Sequence, residues 1–359
     1  MREIQSIRSL DELTDRTMHD IAIVTTFYND SDVISRLLQS LLKQTCCAFA
    51  HYIYDDGSTN CADDLFHDYG EQLIRQGGEF VYLKGKENLG VDLAHQVAFR
   101  AVKENYLIWV DADDWVDPRF IEVLRRKIRR HPDVALFHLN SWQYDENLSR
   151  HPHTTAFYYS MRSLSCRDQF PYICMNTDEW YAHQCLVKKE ALLSINPTLR
   201  LYSKRYDGAP YYDAQIFFEL AACHLPFRFI KKPLSHIYNR SCSETHKNRN
   251  EGNASNPIAL HDEFYSKPCF YFGKFPFPSS SVELYSKLIP WRRKSLEILK
   301  DINDGHLRIA KQKISEYKVF LKQVQLNQSY FLFRTSIQHA LLKQRFGSWI
   351  RIMKKVLKR

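Results

Sequence analysis

After a polar, charged amino terminus the chain settles into short apolar runs separated by amphipathic stretches. Residues 20–27, 51–54, 79–83, 106–110 and 134–139 are β-prone apolar runs bounded by polar or turn-forming residues, the pattern of strands buried in a sheet. Between the first two runs Val33, Ile34, Leu37, Leu38, Leu41 and Leu42 recur at helical spacing, with Ser31 placed to cap the helix start. Further helices are expected around residues 61–75, 91–102 and 118–130. Strands alternating with helices predict an α/β fold with a mostly parallel sheet and right-handed crossovers.

From about residue 150 the alternation loosens into a mixed α+β half. A helix is expected over 209–222, with Ile216, Phe217 and Leu220 on one face, and a short strand over 227–230. Residues 244–285, rich in Asn, Gly, Ser and Pro, read as a flexible loop or linker, and residues 286–359 as a polar, helical extension.

Composition narrows the class. Hydrophobic residues make up 44% of the 359, with 25% charged, as in ordinary folded domains. No stretch approaches the ~20 apolar residues of a membrane span, and the first twenty lack the apolar core of a signal peptide. The nine cysteines form no Cys-x-x-Cys pair, which points to reduced thiols in a cytoplasmic protein. The net charge of +9 resides in residues 286–359, which hold 18 Lys and Arg against 4 Asp and Glu. At the very end Phe346, Trp349, Ile350, Met353, Val356 and Leu357 share one helical face, and Arg351, Lys354, Lys355 and Lys358 the other. That helix either lies on an anionic membrane surface or packs on the domain. No recognition helix or RNA-binding signature accompanies the basic tail, so nucleic acid is not expected as a partner.

Two acidic turns carry the candidate chemistry. Asp111, Asp113 and Asp114 follow the run 106–110, and Asp55 and Asp56 follow 51–54. Carboxyl ends of strands are where open α/β sheets bind ligands. Three hard oxygen donors suit Mg²⁺ or Mn²⁺ carrying a phosphate ligand, although an isolated acidic turn equally caps a helix. Gly57 permits a sharp turn. Asn88, Leu89 and Gly90 open the next helix, where backbone amides can meet a phosphate.

In this order, four segments resemble the inverting family 2 glycosyltransferases of GT-A fold: residues 25–29, 54–59, 88–90 with Ala94 and Ala98, and 110–114. The resemblance covers roughly residues 20–240 and implies a GT-A domain over 1–243, divided into a nucleotide-sugar half (20–140) and an acceptor half (141–243). It implies that Thr26 and Phe27 line the nucleotide pocket and that Asp55 and Asp56 contact uracil or ribose. Asn88 and Gly90 would lie near the donor, Asp111 would face ribose and metal, and Asp113 would be the principal ligand of Mn²⁺ or Mg²⁺. The general base falls on Asp213, with Tyr212 where the family usually has a first acid and Asp207 in reserve. His95 and Gln96 stand where family members often carry Arg-Asn. Arg240 is expected to neutralise the diphosphate, His246 to reach the metal, and Trp180 and Tyr181 to stack on an acceptor sugar. The implied reaction moves a hexose or N-acetylhexosamine from a UDP-sugar to a glycan or lipid-linked acceptor at the inner face of the cytoplasmic membrane, in surface polysaccharide assembly. The rival readings are a catalytically silent scaffold of the same fold and a nucleic-acid-binding protein.

Overall fold

Unbroken apolar runs form the middle of the sheet. The computed structural model describes residues 19–60, 62–152, 166–175, 185–201, 212–240 and 277–323. Strands β1 (Ile21–Phe27), β2 (Ala50–Asp55) and β4 (Tyr106–Trp109) are buried almost throughout, as central strands covered on both faces must be. β3 (Glu79–Lys84), with its mixed burial, forms one edge. The nine-stranded sheet runs β3-β2-β1-β4-β8-β6-β9-β5, with β5 (Trp115–Val116), β6 (Leu136–Tyr144), β8 (Cys185–Lys188) and β9 (Phe227–Tyr238); β7 (Arg150–Pro152) pairs with β6. The β1–β2, β2–β3, β1–β4 and β6–β9 pairings are parallel, and β4–β8, β6–β8, β6–β7 and β5–β9 are antiparallel. Chain order reverses between β1 and β4, which makes a crevice at the carboxyl ends of these two strands.

Helices α1 (Ile34–Leu42), α2 (Asp63–Arg75), α3 (Val91–Ala101) and α4 (Phe120–Arg130) follow β1, β2, β3 and β5. Ile34, Leu37, Leu38 and Leu41 of α1 are buried, each contributing roughly 2 kcal/mol relative to exposure. Ser31 does not cap α1: the N-cap is Val33, and the Ser31 hydroxyl accepts a bond from Asn60 Nδ2 at 2.9 Å. α5 (Cys166–Met175), α6 (Lys189–Ile195) and α7 (Tyr212–Ala222) come next, then α8 (Ser279–Asn303) and α9 (Leu307–Gln323).

β9 is much longer than the four residues its sequence suggests. Lys231, Lys232 and Pro233 interrupt the apolar pattern, and the sheet accommodates them with a register shift opposite Leu139–Ser141. Pro233 has no N–H to donate, and Asn140 Nδ2 bridges the irregularity to the Lys231 carbonyl at 2.9 Å.

The chain divides into two compact units, residues 1–162 with 180–246, and residues 163–179 with 247–359. α5 therefore belongs with α8 and α9 in the second unit, and packs against α8. α8 also begins inside the stretch expected to be linker. In this second unit α8 turns into α9 through Gly305, at φ 86°, and Trp291 stacks on Phe320 with centroids 4.1 Å apart. No helix among the described residues is long and apolar enough to cross a membrane, and the amphipathic end over 346–359 lies outside them.

Candidate active site

The acidic turn is anchored from beneath by a buried hydrogen-bond chain. Thr25 Oγ1 donates to the Val110 carbonyl at 2.9 Å, so it accepts from His51 Nε2 at 3.1 Å. His51 Nδ1 then accepts from the Tyr69 hydroxyl at 2.8 Å. Every group is satisfied only with a neutral imidazole, and burial pushes the His51 pKa down to about 3. The chain ends on the residue before Asp111 and fixes where the turn leaves β4. Asp114 N–H donates to the Asp111 carbonyl at 3.0 Å, closing the turn.

The three carboxylates have different surroundings. Asp114 Oδ1 accepts the Tyr238 amide at 2.9 Å and ties the turn to β9. Asp113 Oδ2 accepts from Arg240 Nε at 2.9 Å, and Arg240 Nη1 reaches Asp30 Oδ1 at 3.0 Å. Burial, then the charges of Asp114 and Asp111, raise the Asp113 pKa to about 7 despite the arginine. Two acids and one guanidinium therefore interlock three elements: the β1–α1 loop, the β4–β5 turn and the end of β9. Asp30 was not legible as a participant, because its partner lies 210 positions away. An excess of hard oxygen donors over cations fits Mn²⁺ or Mg²⁺. Among the described residues no three His, Cys, Asp or Glu side chains form a ready cage. That is compatible with an ion completed by substrate phosphates.

The second acidic turn is spent largely on architecture. Asp55 is 1% exposed; its Oδ1 accepts the Ser58 amide at 2.8 Å and its Oδ2 the Tyr82 hydroxyl at 3.2 Å. Asp56 accepts the Leu89 and Gly90 amides, one on each oxygen, both at 2.9 Å. Those two amides are thus committed to Asp56 rather than open to a phosphate. Gly57 adopts φ +74°, and a Cβ there would come within 2.6 Å of the Glu87 carbonyl carbon, so only glycine fits. Asn29, itself at φ 56°, accepts the Thr59 and Asn60 amides on Oδ1 at 2.9 and 3.1 Å. This side-chain bracket between two loops was missed in the sequence.

Thr26 is half-buried, in register with Tyr54. The Phe27 ring is buried and packed edge-on to Phe66 at 5.1 Å, and its backbone carbonyl accepts the Asp56 amide. His95 is turned inward onto the Val91 carbonyl at 2.8 Å. Asp213 is the second residue of α7. Its side chain, and Trp180, Tyr181, Asp207 and His246, lie outside the described residues.

Residues 22–191 match the family model described as glycosyl transferase family 2. Over these residues the chain is similar to that family. Over 129 residues it is 26% identical to the glycosyltransferase GlyA of Streptococcus pneumoniae serotype 4, covering 36% of this chain and 18% of that protein. Over 128 residues it is 26% identical to GlyG of the same organism, covering 35% and 40%. The chain thus spans less than half the length of these curated relatives. Its fold, GT-A-like, is that of Staphylococcus aureus TarS 1-349, a structure in complex with UDP-GlcNAc, with a TM-score of 0.55, 13% identity, and 91% and 92% of the two chains covered. Mannosyltransferase PcManGT from Pyrobaculum calidifontis, in complex with GDP-Man and Mn²⁺, gives a TM-score of 0.51 at 14% identity, covering 91% and 87%.

Proposed function

We propose that this protein is a metal-assisted, inverting glycosyltransferase that moves a hexose or N-acetylhexosamine from a UDP-sugar to a hydroxyl of a glycan or lipid-linked acceptor. The observation that carries the reading is the interlock of Asp113, Arg240 and Asp30 at the reversal point between β1 and β4. Nucleotide-sugar complexes of fold relatives, one with UDP-GlcNAc and one with GDP-Man and Mn²⁺, support the donor class and the ion. Asp111 and Asp113 would hold the divalent ion, which when bound supplies positive charge to the leaving diphosphate. Arg240 brings a second cation to the same place, freed from Asp113 to meet phosphate oxygens. Asp55 and Asp56 set the shape of the nucleotide pocket by holding its turns, and Thr26 stands at its rim.

Inversion needs one displacement. The acceptor oxygen attacks the anomeric carbon from the face opposite the leaving group, and Asp213 takes the hydroxyl proton as the bond to the nucleoside diphosphate breaks. Membrane-surface docking by residues 346–359 would bring the domain to a lipid-linked acceptor.

The test is a binding and hydrolysis screen of nucleotide sugars with and without Mn²⁺, using the wild type, Asp113→Ala and Asp213→Asn. Metal-dependent binding of a UDP-sugar that Asp113→Ala abolishes is the expected result. No metal-dependent binding of any nucleotide sugar would overturn the reading. Asp213→Asn should lower transfer by about 10²–10⁴-fold; full activity would remove Asp213 as base and leave the donor reading standing.

A further inference from the structure

Beside the acidic turn lies a further charged side chain, that of Arg36. α1 runs along β5, with the Ser40 hydroxyl accepting the Val116 amide at 3.2 Å. From the first turn of α1, Arg36 places its guanidinium 4.8 Å from the ring centre of Trp115 and 4.9 Å from that of Tyr238. Trp115 directly follows Asp114, and Tyr238 lies two residues before Arg240. The rings are held: Trp115 stacks on His236 at 5.2 Å with planes 6° apart and contacts Tyr144 at 4.7 Å. His236 Nδ1 in turn lies 3.2 Å from the Tyr144 hydroxyl.

Arg240 satisfies two carboxylates. Arg36, half-buried against Trp115 and Tyr238, has no carboxylate in ion-pair range among the described residues. The Trp115 indole N–H and the Tyr238 hydroxyl likewise meet no acceptor among the described residues. A guanidinium fixed between two aromatic faces keeps its N–H edges outward, and that fork matches two oxygens of a phosphate. A cation left without a counter-ion beside a cluster of acids is arranged for an anionic ligand that the acids themselves do not supply.

We propose that Arg36, walled by Trp115 and Tyr238, is a phosphate-binding subsite that orients a phosphate-bearing ligand against the Asp113–Arg240 centre. Its placement next to the reacting centre rests on the glycosyltransferase reading; its affinity for phosphate does not. The phosphate belongs either to the acceptor, as a polyol phosphodiester or a lipid phosphate, or to the donor diphosphate, and the two sources are separable.

The experiment is calorimetric titration of the full chain with inorganic phosphate, a polyol phosphodiester oligomer and UDP, at two salt concentrations. The wild type is expected to bind phosphate and at least one other probe, more weakly at high salt. Arg36→Ala should weaken that binding roughly 10- to 100-fold, the effect of one charge-assisted bidentate contact. Arg36→Lys, which keeps the charge without the fork, should fall between. Loss confined to the oligomer assigns the subsite to the acceptor, and loss confined to UDP assigns it to the donor. A wild type that binds no probe, or Arg36→Ala and Arg36→Lys variants that bind all three like wild type, would overturn the proposal. If phosphate binding depends on Arg36 while no nucleotide sugar binds, the subsite stands and the transferase reading fails.

Discussion

Replacing Asp56 with alanine removes a side chain that joins the turn after β2 to the turn before α3. Its two oxygens accept the Leu89 and Gly90 amides, both at 2.9 Å, and the carboxylate is 3% exposed. A hydrogen bond to a charged acceptor contributes about 1.5–3 kcal/mol, so the pair amounts to roughly 3–6 kcal/mol. Removing the charge also removes its own desolvation cost, which brings the expected destabilisation to about 2–4 kcal/mol. Asp56→Asn keeps one acceptor but turns an NH₂ toward a backbone N–H, and should lose at least half as much. Urea denaturation measures the loss, and hydrogen exchange locates it: the Leu89 and Gly90 amides should exchange far faster in Asp56→Ala while those of β1 are unchanged. A variant within about 1 kcal/mol of wild type, with both amides still protected, would show that the carboxylate does not hold the turn.

Two further predictions concern pH. His51 is neutral in the native state with its pKa pushed to about 3, and near 6.5 when unfolded, so its contribution is complete above pH 6.5 and lost as pH falls toward 3. By pH 5 the wild type should lose about 2 kcal/mol more than His51→Gln does, relative to pH 7, read from denaturation midpoints; equal losses refute the neutral-imidazole chain. Glu219, buried in α7, has its pKa raised to about 8 by burial, and Gln215 Nε2 donates to its Oε1 at 2.6 Å. A raised native pKa means stability is greatest below pH 4.5 and falls as pH rises through 8, so Glu219→Gln should be more stable than wild type at pH 8 by a few kcal/mol, on the order of 3. A variant equal to or weaker than wild type at pH 8 would show that the acid is not held neutral.

The alternation of apolar runs was enough to read the first half of the sheet, because β1, β2 and β4 are buried on both faces and carry no competing signal. β9 was less legible: its continuation past Ile230 depends on a bulge and on Asn140 from another strand, and neither leaves a local trace. The attachment of α5 to α8 was equally hard to read, since it is a long-range contact. Within the candidate site, motif spacing singled out Asp113 and Arg240 without showing that they pair, and singled out Asp55 and Asp56 without showing that they hold turns. Asp55 and Asp56 lie on strand and turn ends where a pocket contact and a backbone contact look alike in sequence. Only Gly57, with its positive φ and close neighbour, was explained locally.

The clasp of Asp30 by Arg240 has a consequence for the order in which the protein takes shape on the ribosome. Among the described residues β5 pairs with β9 alone, through Trp115 opposite His236 and Val116 opposite Ser235, and Asp114 waits for the Tyr238 amide. The parallel layer of β1 to β4 can gather as soon as about the first third of the chain has emerged, whereas the Asp113–Arg240 pairing must await a strand that arrives more than a hundred residues later. Loop closure over such a span is slow and entropically costly. A nascent or prematurely terminated chain would therefore carry the acidic turn without its fastening, which would be among the last features it acquires.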